Sequence, residues 1–198
     1  MPDMLTYFVI FAAVIQLIGG VAYVRDTLAG RARPNRVSWF LWAATPIIGT
    51  GIILLEGTQS WAVLPIFMSG FIPLMVLTGS FSNTHAYWKL GTFDYVCAAL
   101  GGLALTAWLL ADQPVMALVL LVATDGFAAL PTIRKAWTHP ETETGAPFIA
   151  ALFGGFAALV SVQDWVILEY AFPVYLFGIN WVLLYSIYRR RIFKCHSS

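Results

Sequence analysis

Ala123-Thr124-Asp125-Gly126-Phe127-Ala128-Ala129-Leu130-Pro131-Thr132-Ile133-Arg134-Lys135 sets a carboxylate inside an apolar run and closes that run with a basic pair. The first part of the chain follows the same plan, aligned without gaps. Val14-Ile15-Gln16-Leu17-Ile18-Gly19-Gly20 overlies Ala123 to Ala129, Val24-Arg25 overlies Ile133-Arg134, and Trp39 overlies Phe148. In both places a basic loop follows, then a second apolar stretch, a short polar hairpin with a Trp, and a third apolar stretch. The hairpins are Glu56-Gly57-Thr58-Gln59-Ser60-Trp61 and Gln163-Asp164-Trp165. The halves share few identities; what they share is the order of the pieces, the mark of an internal repeat.

Working outward, the chain divides into seven apolar segments, Leu5–Val24, Val37–Leu55, Trp61–Ser80, Phe93–Ala111, Pro114–Ile133, Ala146–Val162 and Tyr170–Tyr188. Runs of about 17–20 apolar residues match a hydrocarbon core of ~30 Å crossed at 1.5 Å per residue. The composition is 60% hydrophobic and 11% charged, against about 25% charged in soluble domains. Strands are excluded, because strict alternation is missing and each run is too long. The fold class expected is therefore all-α integral membrane. Seven transmembrane helices form two parallel three-helix repeats, residues 1–83 and 113–198, joined by a linking helix in 84–112, with a short basic tail at the end. An odd unit reverses direction across the bilayer, and one linking helix restores it.

The loops alternate in charge. Arg25, Arg31, Arg33 and Arg36 follow the first segment, Lys89 the third, Arg134 and Lys135 the fifth, and Arg189, Arg190, Arg191 and Lys194 the seventh. These are all 11 Lys and Arg residues. The other loops hold Glu56, Asp112, Asp164 and Glu169, and Asp3 lies at the N-terminus. Basic loops stay in the cytoplasm, which puts the N-terminus outside and the C-terminus inside. The basic residues then act as topology signals and headgroup contacts.

Several function classes drop out. A net charge of +1 gives no sign of nucleic acid. Cys97 and Cys195 fall in different compartments of the fold, so no disulfide is expected. His85, His139 and His196 lack ligand spacing, so no metal site is expected, and no phosphate loop or catalytic constellation is present. The chain is not expected to be an enzyme or to carry a cofactor. The first segment lacks a basic leader and a cleavage site, and is expected to be a retained helix. Compact loops and absent N-x-S/T sequons point to a bacterial inner membrane.

Leu130-Pro131-Thr132-Ile133-Arg134-Lys135-Ala136-Trp137, at the basic end of the fifth segment, is similar to the PQ motif. Together with the 3+1+3 plan, it makes the chain resemble the SWEET and PQ-loop superfamily. Thr132 stands where that motif has Gln. The first repeat has Ala22-Tyr23 in place of Pro-Gln, and carries Arg33-Pro34-Asn35-Arg36-Val37-Ser38-Trp39 before its second helix. The resemblance implies carriers or receptors working from a site between the repeats, with helix prolines as hinges. Pro131 matches the motif position. Pro46 matches the second-helix hinge, with Gly155 as its repeat mate. Some amino-acid carriers of the superfamily use a carboxylate near the second motif, which implies proton coupling at Asp125.

Ionisable groups in hydrocarbon cost at least roughly 2.5 kcal/mol and mark function unless paired or hydrated. Asp125 is the deeply placed one, Gln16 is its repeat mate, and Asn180 lies at a similar depth. The three are expected to line a hydrated midplane cavity. Phe177, Trp181 and Trp42 add aromatic faces suited to a ring-bearing solute. The competing role for the amides is interhelical hydrogen bonding, worth about 0.6–2 kcal/mol, and for Phe177 and Trp181 it is packing. Trp39 is read as part of the interfacial aromatic belt, and helix four is expected to dock on the first repeat.

The functional expectation is a transporter of a small polar metabolite (sugar, amino acid or vitamin-like) by alternating access. The alternatives are a non-transport receptor on the same fold and a structural or assembly subunit of a membrane complex. The expected partners are a small-molecule substrate and the lipid bilayer, with a homo-oligomer allowed.

Overall fold

The computed structural model describes residues 4–55, 57, 63–83, 88–160, 162 and 165–194. Expectations resting on Asp3, Glu56, Trp61, His85, Asp164, Cys195 and His196 lie outside the described residues. Those described form seven α-helices: α1 (Met4–Leu28), α2 (Arg36–Leu55), α3 (Val63–Ser82), α4 (Thr92–Leu109), α5 (Pro114–Thr138), α6 (Ala146–Val160) and α7 (Ile167–Lys194). A 3-10 turn, Pro140–Thr142, precedes α6.

The helix boundaries have local causes. Pro114 opens α5 at a position whose N–H would be unsatisfied anyway. The Asp94 carboxylate accepts the Gly91 N–H at 2.6 Å across the first turn of α4. After α1 the chain turns at Gly30, whose φ of +73° suits a residue without Cβ. Three of the helices run well past the apolar segments: α1, α5 and α7 extend one turn or more into the basic ends, because α-helical hydrogen bonding continues beyond the hydrocarbon.

Five helices, α1, α2, α4, α5 and α7, are long and apolar enough to cross a membrane. The apolar parts of α3 (Ile66–Ser82) and α6 (Ala146–Val160) are shorter. At 15 residues, α6 rises only about 22 Å. The outward surface is apolar, with Phe11, Ile18, Leu103, Val119 and Phe153 all exposed. The chain is an integral membrane protein built of helices.

Six helices close a ring. α1 packs on α3, α3 on α2, α2 on α5, α5 on α7, α7 on α6, and α6 back on α1. α4 stands outside this ring. It docks chiefly on α5 and only secondarily on α2, correcting the expectation that it would lie on the first three helices. The point of approach is Gly101, where a Cβ would meet both Leu41 of α2 and Phe127 of α5.

The core sits at the basic end. Tyr23, Trp39, Val76, Phe148, Leu183 and Ile187 form its buried cluster. Trp39, 2% exposed, packs on Tyr23 at 4.7 Å and Phe148 at 6.3 Å. It therefore belongs to the core and not to an interfacial belt.

Candidate functional site

Asp125 lies on α5 and is half-buried. Tyr175 of α7 donates its hydroxyl to Asp125 Oδ2 at 2.9 Å, and the Trp42 indole of α2 lies beside the same carboxylate. A Cβ at Gly126 would lie 3.5 Å from the Tyr175 hydroxyl, an ordinary van der Waals contact. Trp42 is in turn set edge-on to Trp39 at 5.4 Å and to Phe148 at 6.2 Å. Three helices thus supply one carboxylate, a phenol that donates to it and an indole beside it, backed by further aromatic rings. Among the described residues no Lys or Arg pairs with Asp125. Asp125, Tyr175 and Trp42 all keep accessible surface. Such a group can accept hydrogen bonds from a hydroxyl- or amine-bearing solute and can exchange a proton.

The other sequence-based candidates are placed differently. Gln16 lies on the seam between α1 and α6, its amide packed against Gly154. Asn180 is 7% exposed and donates to the Leu176 carbonyl of its own helix at 2.8 Å. Phe177 is half-buried, and its backbone passes close to Gly155 of α6. Trp181 is 55% exposed on the outward stripe of α7 with Val174 and Tyr185, and touches Phe177 edge-on. Of the expected binding residues, the structure brings Asp125 and Trp42 together. Tyr175 was not among those expected. Its signal was a phenol in the middle of an apolar helix, which needs a partner when buried.

Pro131 is fully buried, and its neighbour Thr132 donates to Ser38 of α2 at 2.8 Å. Pro46 sits between two threonines whose hydroxyls donate to helix carbonyls, Thr45 to Leu41 and Thr50 to Pro46 itself. These bonds add partners for helix carbonyls close to the backbone bond that Pro46 cannot make.

A second polar cluster closes the basic end. Lys135 pairs with Glu143 at 2.5 Å, the side chains being 1% and 0% exposed. Tyr23 donates to the other Glu143 oxygen at 2.6 Å. Lys135 also donates to the Arg33 carbonyl, and the Arg33 N–H reaches the Thr142 carbonyl at 2.9 Å. Lys135 is therefore no headgroup contact, as its place in a basic loop had implied. It turns inward because Glu143 returns beneath it after the Pro140–Thr142 turn. Between Asp125 and this pair, Ala128, Ala129, Thr132 and Ala136 of α5 are all fully buried, so packed protein separates the site from the basic end.

No protein-family model, curated protein or solved structure matches this chain.

Proposed function

We propose that the protein is a transporter that moves a small polar metabolite (sugar, amino acid or vitamin-like) by alternating access around Asp125. The observation that carries this reading is the half-buried carboxylate, hydrogen-bonded by the Tyr175 hydroxyl of α7, flanked by the Trp42 indole of α2 and left without a cation among the described residues. A group merely gluing helices together would be better paired and better hidden.

The proposal includes a SWEET-like 3+1+3 arrangement, with the N-terminus outside, the C-terminus cytoplasmic and a bacterial inner membrane as the location. Helix packing supports it. Exchanging α1, α2 and α3 for α5, α6 and α7 leaves the pairs within the ring unchanged, with α4 outside. Trp39 and Phe148, aligned between the halves, also touch each other at 6.3 Å, as mates beside a two-fold axis would. On this reading the packed basic end represents the state closed to the cytoplasm. Opening requires α2 and α5 to part at Ser38–Thr132, with Pro131 and Pro46 as hinges.

The test is a thermal-shift screen of the purified protein with sugars, amino acids, nucleosides and vitamin precursors, against wild type, Asp125→Asn and Tyr175→Phe. A ligand that binds only the folded state raises its apparent stability. One compound class is expected to stabilise wild type and to lose that effect in Asp125→Asn. Tyr175→Phe is expected to weaken it by roughly 10- to 100-fold, since one hydrogen bond to a charged group is worth roughly 1.5–3 kcal/mol. Silence across the panel, with Asp125→Asn as stable as wild type, would favour a receptor or an assembly subunit.

Proton coupling has its own check. Uptake of the identified compound into proteoliposomes should respond to a pH gradient in wild type and lose that response in Asp125→Asn. A full response in the variant removes Asp125 from coupling.

A further inference from the structure

The outward side of the ring carries a feature that transport does not use. Between α2 and α4 lies a cleft of about 290 Å3, walled by Phe40 and Leu41 on one side and by Gly102 and Leu105 on the other, with Arg36 at its basic end. Gly102 creates the depth: a Cβ there would meet nothing within 4 Å. Phe40 and Leu103 beside it are exposed. The cleft thus opens on the hydrocarbon side, where neither water nor a polar solute would fill it.

Its basic end is built for negative charge. Arg36 lines that end of the cleft, its guanidinium held on the end of α3 by the Ser80 hydroxyl at 3.2 Å and carbonyl at 2.8 Å and lying over the Phe81 ring at 4.1 Å. Exposed Lys89 directly precedes Leu90, another residue of the cleft wall. Exposed Arg134 lies over Phe93 at 4.7 Å, next to the first turn of α4. The nearby acid, Asp94, is turned inward onto Asn35 at 2.7 Å and Gly91. Three cations therefore lie around the start of α4, on the side of the helices that carries the basic loops.

We propose that this cleft binds one anionic phospholipid, with an acyl chain between α2 and α4 and the headgroup phosphate at Arg36 and Lys89. Charge complementarity at one end and an apolar groove at the other match the two parts of that molecule. With two cations engaged, the preference for phosphatidylglycerol over phosphatidylcholine is expected to be on the order of tenfold.

The test is native mass spectrometry of the detergent-purified full chain titrated with phosphatidylglycerol, phosphatidylcholine or inorganic phosphate. Wild type should retain one phosphatidylglycerol in preference to phosphatidylcholine, and should show no retained inorganic phosphate. Gly102→Leu, which fills the groove, should lose the retained lipid. Lys89→Gln, a change at an exposed side chain, should keep binding lipid but lose much of the preference for phosphatidylglycerol. Equal retention of the two lipids by wild type would overturn the proposal. So would undiminished retention by folded Gly102→Leu, or an unchanged preference in Lys89→Gln.

Discussion

Lys135→Met is expected to destabilise the protein by about 3–5 kcal/mol, because it leaves a buried carboxylate without its cation. Glu143 is fully enclosed and would keep only the Tyr23 hydroxyl. The Arg33 carbonyl would lose its ammonium donor as well. Glu143→Leu should cost a similar amount from the other side, stranding the ammonium. The double variant Lys135→Met/Glu143→Leu is expected to recover most of the loss. Desolvation largely cancels the attraction within such a pair, and apolar side chains of similar volume fill the same space. Thermal midpoints of the purified protein in one detergent measure all three. A single variant within about 1 kcal/mol of wild type would mean that water reaches the pair. This pair joins α5 to the turn before α6, and Tyr23 ties in α1. The loss should therefore appear as cooperative loosening of the basic end, not as fraying of one loop.

Gly19→Ala is the second large effect, expected at about 1–3 kcal/mol from overpacking alone. A Cβ at Gly19 would sit 2.6 Å from the Ala150 Cβ and 2.9 Å from the Ala146 carbonyl oxygen. The second contact is with backbone, which cannot rotate out of the way as a long side chain could. α1 and α6 would have to separate, and theirs is one of the contacts that close the ring. Gly51→Ala is the matched control. Its Cβ meets nothing within 4 Å, and removing a helical glycine should stabilise by up to about 1 kcal/mol. Equal midpoints for the two variants would show that the α1–α6 approach is looser than these distances imply.

Much of the architecture is legible in the chain because the bilayer leaves few choices. A backbone in hydrocarbon must satisfy its own hydrogen bonds, so a run of apolar residues of the right length becomes a helix with ends known to within a turn or two. The helices begin and end close to where the apolar runs do, and the overruns at α1, α5 and α7 fall where polar surroundings permit them. Asp125 was legible for the same reason: a carboxylate has no routine place inside such a run. Trp42 could be named as a candidate, but not as that carboxylate's neighbour.

Partnership between helices is not written in any one stretch of the chain. Tyr175 lies 50 positions from Asp125, and Tyr23 lies 120 from Glu143; nothing local in either helix states which faces meet. A lysine at the end of an apolar helix has the same sequence signature whether it reaches headgroups or turns inward. Glu143 decided it for Lys135, and only the turn after α5 brings Glu143 there. The choice of α5 over α2 as the main neighbour of α4 likewise depends on how closely Gly101 lets the helices approach. The sequence by itself determined the number of helices, their lengths and their apolar character, because those follow from one-dimensional hydrophobicity against a fixed slab of hydrocarbon. The tertiary structure decided which side chains face one another, because the rotation and contact of each helix depend on the shapes of all its neighbours at once.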